Sequence, residues 1–374
     1  MRIVFICGCL EPGKDGVGDY TRRLAVELII QNVEVAILAI NDQFITENVS
    51  KDQTFNNINV STCRIPSNWN AEQRYNLAKK WIGKFNPDWI SLQYVSFSFD
   101  TKGLPFNLNK NMTRLTQGKL WHIMFHELWV GMEKRSTLKH IIWGEIQKFL
   151  IIHLIKKLNP KLIHTQTKLY QLQLKKLGVK TNYLPLFSNI PINKNNIKSK
   201  SSNDESKITL INFGTIHPTV PIESFASEAA LYEKKTGIKI ELILIGRCGN
   251  EQKKWVDVWQ SFKLNISVLG EQSSEVISNL FTTSTFGITT TALPLLEKSG
   301  SVAAMFEHKL PVICISNPWY PRGKFNIHNT LGIIEYNFGN FESIITMTNN
   351  KNISYLDADQ ISKQFKDDLK FAAM

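Results

Sequence analysis

The chain has 374 residues, 43% of them apolar and 20% charged, with 44 Lys and Arg against 32 Asp and Glu. That length exceeds the usual size of one hydrophobic core, so two domains are expected, and the balance of residues is that of a soluble globular protein rather than a disordered or fibrous one. No run is long and uncharged enough to span a bilayer, and the N-terminus lacks a basic leader and a small-residue cleavage site, so a cytoplasmic protein is expected.

The first element is a buried strand, Ile3–Cys7, followed by Glu11-Pro-Gly-Lys-Asp-Gly-Val-Gly-Asp-Tyr20 and a helix over Thr21–Ile30 with Leu24, Ala25, Leu28 and Ile29 on its apolar face. Glycine adds no bulk and a helix N-terminus favours negative charge, so a phosphorylated or carboxylated ligand is expected at Gly16 and Gly18. A tight strand-to-helix turn without a ligand is the alternative, because Gly16-x-Gly18 lacks the third glycine of the dinucleotide fingerprint and the Gly-Lys-Ser/Thr ending of a P-loop. Asp15 and Asp19 beside the glycines are candidates for accepting a hydroxyl proton. Cys7-x-Cys9 reads as a strand end with two small apolar side chains, a metal pair being the lesser alternative; the five dispersed cysteines fit reduced thiols.

Further strands are expected at Val33–Ala39, Ile58–Cys63, Trp89–Gln93, Leu120–His126, Leu162–Gln166 and Asn182–Leu184, with helices at Ala71–Phe85, Thr137–Leu158 and Leu169–Leu177. A stretch of Asn, Lys, Ser and Asp then reads as a linker over 193–206. A second alternating series follows, with strands at Ile208–Phe213, Ile240–Ile245, Ile266–Leu269, Phe286–Thr289 and Pro311–Ile315. The fold class is therefore α/β with two doubly wound Rossmann-like domains: a first domain over 1–192, a second over 207–355, and a C-terminal helix over 356–374 that packs back on the first domain.

In such sheets ligands bind outside the carboxyl ends of the strands. That places Glu11–Tyr20, Gln93–Ser98 and His126–Gly131 on one rim, and Gly214–Pro218, Gly246–Gly249, Gly270–Ser274 and Thr290–Ser301 on the other. His126 at a strand end is a functional candidate, with a packed core histidine as the bland reading; Glu127 either orients it, meets an acceptor, or is a surface residue.

Gly16-Val-Gly-Asp-Tyr20, Phe125-His126, Leu244-Ile-Gly246 and Leu310-Pro-Val-Ile313, in that order along nearly the whole chain, resemble the GT-B glycosyltransferases, specifically retaining family four. The resemblance implies an acceptor in the first domain, a nucleotide-sugar donor in the second, chemistry in the cleft between them, Gly16 and Gly18 facing the donor diphosphate, and His126 beside the donor sugar. It implies no protein nucleophile and no cofactor. The chain also departs from the family: aligned on Leu310-Pro311-Val312, the paired family glutamates fall on Leu296 and Ala304, and the usual phosphate clamp is replaced by Gly214-Thr-Ile-His-Pro218. Glu297 is the substitute for a ribose-binding carboxylate, while Glu307 lies one turn too far along. Thr215, Arg247, Lys298, Ser299 and Gly300 are the candidates around the diphosphate, which needs cations and backbone donors as its charge develops. A solvated lysine, a structural salt bridge for Arg247, and an ordinary N-cap for Ser299 are the corresponding bland readings.

Charge is unevenly spread, with 25 Lys and Arg against 14 Asp and Glu in residues 1–192 and 19 against 18 in the remainder. Between 134 and 180 only Glu145 opposes eleven cations, which flank an apolar helix containing Trp143 and Phe149. A basic amphipathic helix suits an anionic membrane surface, so peripheral contact with the inner face of the cell membrane is expected; a solvated core helix is the alternative, and no nucleic-acid module is recognisable. The expected function is transfer of a hexosyl unit from a nucleotide sugar to a glycan or lipid-linked saccharide in cell-surface polysaccharide synthesis, with retention and without a metal. A nucleotide-sugar epimerase on the same fold and a non-catalytic sugar- or nucleotide-binding subunit are the competing readings.

Overall fold

The computed structural model describes residues 1–55, 57–115, 118–193, 206–323, 325, 333–347 and 355–374. The expected linker over 193–206 lies almost wholly outside them. The chain forms two compact units, one comprising Met1–Pro185, Pro321–Phe325 and Ala358–Met374, the other Leu186–Tyr320 and Asn326–Asp357.

The first unit runs β1 (Arg2–Cys7), α1 (Gly16–Ile30), β2 (Glu34–Asp42), β3 (Val49–Phe55), β4 (Ile58–Pro66), α2 (Ala71–Phe85), β5 (Trp89–Tyr94), α3 (Ser96–Phe99), α4 (Leu108–Leu115), β6 (Leu120–Phe125), α5 (Leu138–Leu158), β7 (Leu162–Thr165), α6 (Lys168–Lys175) and β8 (Asn182–Tyr183). Its sheet has the order β3-β4-β2-β1-β5-β6-β7-β8. All pairs but one are parallel. Covered on both faces, β1 reads as an uninterrupted apolar run, and Ile3 through Cys7 are buried. The exception is β3, antiparallel to β4 and joined to it through Asn57 at φ 62°. Sequence reading missed β3 because Ser50-Lys-Asp-Gln53 carries no apolar alternation; an edge strand needs only one neighbour, and charged side chains there guard the edge. Helix limits follow their caps: the Asn70 side chain accepts from the amide of Gln73 to open α2, and the Thr137 hydroxyl accepts from that of His140 to open α5, while Asn86 and Asn159 close these helices in the left-handed region.

The second unit runs β9 (Lys207–Phe213), α7 (Ile222–Thr236), β10 (Lys239–Ile245), α8 (Gln252–Ser261), β11 (Asn265–Gly270), α9 (Ser274–Thr283), β12 (Phe286–Thr289), a 3-10 turn (Leu293–Lys298), α10 (Gly300–Glu307), β13 (Val312–Cys314), β14 (Ile334–Glu335) and α11 (Phe341–Thr346). Its six strands are all parallel in the order β11-β10-β9-β12-β13-β14. Phe225, Trp255 and Trp259 belong to one of its apolar clusters, and Phe281, Val302 and Met305 to the other. Strand order reverses between β1 and β5 in the first unit and between β9 and β12 in the second, which marks a ligand crevice in each.

The last helix, α12 (Ala358–Ala373), belongs to the first unit. Ile361, Phe365 and Leu369, spaced at four residues, are fully buried, and Phe365 stacks on Phe5 of the central strand at 5.8 Å. Burial of each such side chain stabilises the docked helix by about 2 kcal/mol.

Candidate functional site

In the first unit the loops leaving β1 and β5 are in contact: a Cβ on Gly8 would lie 2.6 Å from Ser98 Cβ and its carbonyl oxygen. Asp15 opens α1, its Oδ1 accepting from the amides of Val17 at 2.8 Å and Gly18 at 2.9 Å. The helix-terminal donors that the glycine loop was expected to offer an anion are thus held by an internal carboxylate. Burial raises the pKa of Asp15, and these two amides act against the rise. The two glycines are not equivalent: Gly16 has open space where a Cβ would stand, whereas a Cβ on Gly18 would meet the Cys9 carbonyl oxygen at 2.6 Å. Gly18 is small because two backbone segments pack there, so substitutions at 16 and 18 do not test the same thing.

Asp19 accepts from the amide of Gly13 and pairs with Arg22 Nη1 at 2.7 Å. Arg22 is itself buried, its other donors reaching Gln53 Oε1 and the Leu10 carbonyl. Beneath the loop, Asp42 accepts from the Leu10 and Phe44 amides and from Arg64, which also reaches Glu11. This brace was not legible in the sequence, because its members come from three separate segments. Cys7 and Cys9 are buried thiols with Cys9 Sγ directed at Asp42, and burial pushes the Cys9 pKa up to about 12. Among the described residues no three His, Cys, Asp or Glu side chains converge on a metal position.

His126 follows β6 directly and is buried. Its Nε2 lies 2.8 Å from Gln93 Oε1, and its Nδ1 lies 2.9 Å from Gln166 Nε2. The Tyr20 ring packs on it edge-on at 4.9 Å, joining the α1 segment to the β6 rim. Burial lowers the His126 pKa to about 3, a hydrogen bond from Gln166 acting in the opposite sense. With both ring nitrogens engaged by glutamine side chains, the imidazole is held in a fixed orientation at the rim. Tyr20, Gln93 and Gln166 were not singled out in the sequence; each follows or ends a strand or lies beside the glycine loop, which is the signal that could have found them. Glu127, the next residue, is partly exposed.

Beside this rim a cavity of about 340 Å³ is walled by Trp129, Gly144, Lys148, Lys176 and Arg322. Lys148 stands 5.3 Å over the Trp129 ring and pairs with Glu145, and Lys176 stands 3.5 Å over the Phe325 ring. The ring quadrupole attracts each ammonium group, by about 0.5–2 kcal/mol depending on its exposure.

In the second unit the β9 and β12 loops are cross-linked: Thr290 Oγ1 accepts from the His217 amide at 2.9 Å and donates to the Thr215 carbonyl at 3.4 Å. Gly214 and Gly246 both adopt φ 82°, which explains glycine at these strand ends. Thr215 is exposed on the rim. Burial and the nearby Lys298 charge lower the His217 pKa, which places Lys298 within electrostatic reach of the same loop. Ser299 caps α10, its hydroxyl accepting from Val302, with Gly300 exposed at the first turn. Leu296 and Ala304, where the family carboxylates were expected, are buried in the apolar core; Glu297 is partly exposed. Arg247 pairs with Glu271 at 3.2 Å, both side chains more than half exposed. The structure therefore gathers Thr215 and Lys298 around the β9 loop and shows Arg247 in a surface ion pair.

No protein-family model matches the sequence, and no curated protein does. Solved structures match along the full chain. HepE from Anabaena, solved with UDP and glucose, has a TM-score of 0.61 at 13% identity, covering 99% of this chain and 100% of its own. The lipopolysaccharide outer core galactosyltransferase WaaB has 0.53 at 13%, covering 100% and 99%. A structure described as a putative UDP-N-acetylglucosamine 2-epimerase from Listeria monocytogenes has 0.52 at 10%, covering 84% and 78%.

The fold is GT-B. Within that fold the crevice positions of the two sheets are the regions just described, the β1/β5 rim with His126 and the β9/β12 rim with Thr215 and Lys298.

Proposed function

We propose that the chain is a glycosyltransferase moving a hexosyl unit from a nucleotide-sugar donor to a glycan or lipid-linked acceptor in cell-surface polysaccharide synthesis, with retention and without a metal. The observation that carries this reading is the match of both units, end to end, to a protein solved with UDP and glucose. The donor belongs at the β9/β12 rim, where the amides opening α10 and the Lys298 ammonium would meet the diphosphate, stabilising it as the glycosidic bond breaks and charge accumulates on the leaving oxygen. Glu297 is the carboxylate for the ribose. The acceptor belongs at the β1/β5 rim: His126 presents a fixed neutral ring, Asp19 is held by Arg22, and Glu127 is the carboxylate for an acceptor hydroxyl. The cationic cavity between Lys148 and Lys176 suits an anionic group on that acceptor.

The exposed face of α5 supports a membrane location. Leu138, Ile142, Ile146 and Phe149, spaced along one face, are 71, 55, 36 and 65% exposed, so this helix is apolar on its outer side as well as its buried one. Lys139, Lys156 and Lys157 share the helix, a pattern suited to the acyl boundary of an anionic bilayer. No helix among the described residues is long and apolar enough to cross a membrane.

The likeness to the putative epimerase keeps a second reading in play. Incubation with UDP-, GDP-, ADP- and dTDP-sugars without acceptor separates the readings. Slow nucleotide release supports the transferase and an isomerised donor the epimerase. Binding without turnover indicates a non-catalytic subunit, and the absence of any binding would sink all three.

A further inference from the structure

Six hydrogen bonds connect the rim to the C-terminal helix in an unbroken series. Gln166 Nε2 meets His126 Nδ1 at 2.9 Å, and His126 Nε2 meets Gln93 Oε1 at 2.8 Å. Gln93 Nε2 reaches Ser91 Oγ at 2.7 Å, which meets His122 Nδ1 at 2.8 Å. His122 Nε2 meets His164 Nδ1 at 3.0 Å, and His164 Nε2 meets Asp368 Oδ2 at 2.9 Å. Every member but Asp368 is buried.

The direction of these bonds follows from the end that cannot change sign. An ionised carboxylate only accepts, so His164 donates from Nε2 and, when neutral, accepts at Nδ1. His122 must then donate from Nε2 and accept the Ser91 hydroxyl proton at Nδ1. Ser91 accepts from the Gln93 amide, whose oxygen accepts from His126 Nε2, leaving His126 Nδ1 to accept from Gln166. Each group donates toward Asp368. Burial, the His164 and His126 rings adding to it, holds the His122 pKa well below its ordinary value, and His126 likewise remains neutral; an imidazolium in either place would donate both ways and break the series. The opposite polarity, with both amides turned over and all three rings protonated at Nδ1, satisfies every internal bond equally well. It fails only at its end, where a bare His164 nitrogen would face the carboxylate.

We infer that Asp368 is a positioning residue for the rim, selecting one of two polarities of this chain and so setting the ring tautomer of His126. The helix carrying it is fixed by Phe365, whose ring lies 5.1 Å from that of His122 and 6.0 Å from that of His164. Two amides interrupt the series and an amide does not hand on protons readily, so the chain orients groups rather than conducting protons. The inference rests on the β1/β5 rim being a ligand site.

Long-range ¹H–¹⁵N spectra of the full chain with ¹⁵N-labelled histidine test it without any substrate, so its failure and that of the transferase reading are separable. In the wild type, His122, His126 and His164 should each show a protonated Nε2 and a bare Nδ1. Asp368→Asn is nearly isosteric and its amide can either accept or donate, so all three rings, His126 included, should become mixtures of tautomers. Adding Ser91→Ala should confine the mixture to His122 and His164. A wild-type His126 protonated at Nδ1, or a His126 signal unchanged in folded Asp368→Asn, would overturn the proposal.

Discussion

Arg64 Nε stands 2.7 Å from Asp42 Oδ2, and another nitrogen of the same guanidinium reaches Glu11 Oε2 at 2.5 Å, tying the ends of β2 and β4 to the loop after β1. Burial alone would raise the Asp42 pKa, but the Arg64 hydrogen bond with the Phe44 and Leu10 amides outweighs it and holds the carboxyl below its usual range. Arg64→Met should leave a buried, uncompensated carboxylate and cost about 3–5 kcal/mol of stability. Urea unfolding at neutral pH measures it; a loss under 1 kcal/mol would show that the amides alone support Asp42.

Acid should destabilise the protein in two steps. His122 and His126 bind protons more weakly folded than unfolded, so below the unfolded value near 6.5 the unfolded state gains protons first and stability falls as pH falls, by about 1.4 kcal/mol per pH unit for each such ring. Asp42 acts lower down: its contribution is present above about pH 3.9 and is lost as pH falls through its depressed folded value. Stability flat from pH 7 to 5 would contradict the burial of the two histidines.

Gly18→Ala should lower stability by about 1–3 kcal/mol, because its methyl group meets the Cys9 carbonyl, while Gly16→Ala should leave the melting temperature unchanged. Only Gly16→Val is then a clean probe of ligand approach. Unchanged donor and acceptor affinity in that variant would remove Gly16 from the site.

Lys298→Ala should lower kcat at least tenfold, on the order of 1.4 kcal/mol of lost leaving-group stabilisation. Arg247→Ala should change it less than threefold, since Arg247 is held by Glu271 at the surface. Steady-state kinetics with the donor found by screening decides between them, and the reverse order of effects would transfer the role to Arg247.

Phe149→Asp together with Leu138→Asp should abolish sedimentation with phosphatidylglycerol vesicles, and binding of the wild type should weaken as salt rises, the Debye length being about 8 Å at physiological ionic strength. Both side chains are exposed, so folding should be retained. Absence of vesicle binding at low salt would make α5 an ordinary domain helix with an exposed apolar face.

The parallel strands and most helices were legible because both periodicities are strong: α2 spans the expected Ala71–Phe85, and β12 the expected Phe286–Thr289. What escaped were features that hydrophobic pattern does not encode. β3 is polar and held by pairing alone, and β14 is two residues long. The loops carrying the candidate residues follow the strands as expected, but the hydrogen bonds that join them were not foreseen. The Asp42–Arg64–Glu11 brace and the glutamines on either side of His126 join residues 22 to 53 positions apart, and no spacing rule announces such partners.

The placement of α12 also fixes an order of events during synthesis. His164 meets Asp368 across 204 positions, and the second unit, Leu186–Tyr320 and Asn326–Asp357, lies in sequence between the bulk of the first unit and this helix. Until residues 361–369 leave the ribosome, Phe5, His122 and His164 lack the face that covers them, so the N-terminal unit is made first and closed last. A nascent chain would therefore carry an open apolar groove while its second unit forms, which gives chaperones a defined surface to shield and slow late folding a structural cause.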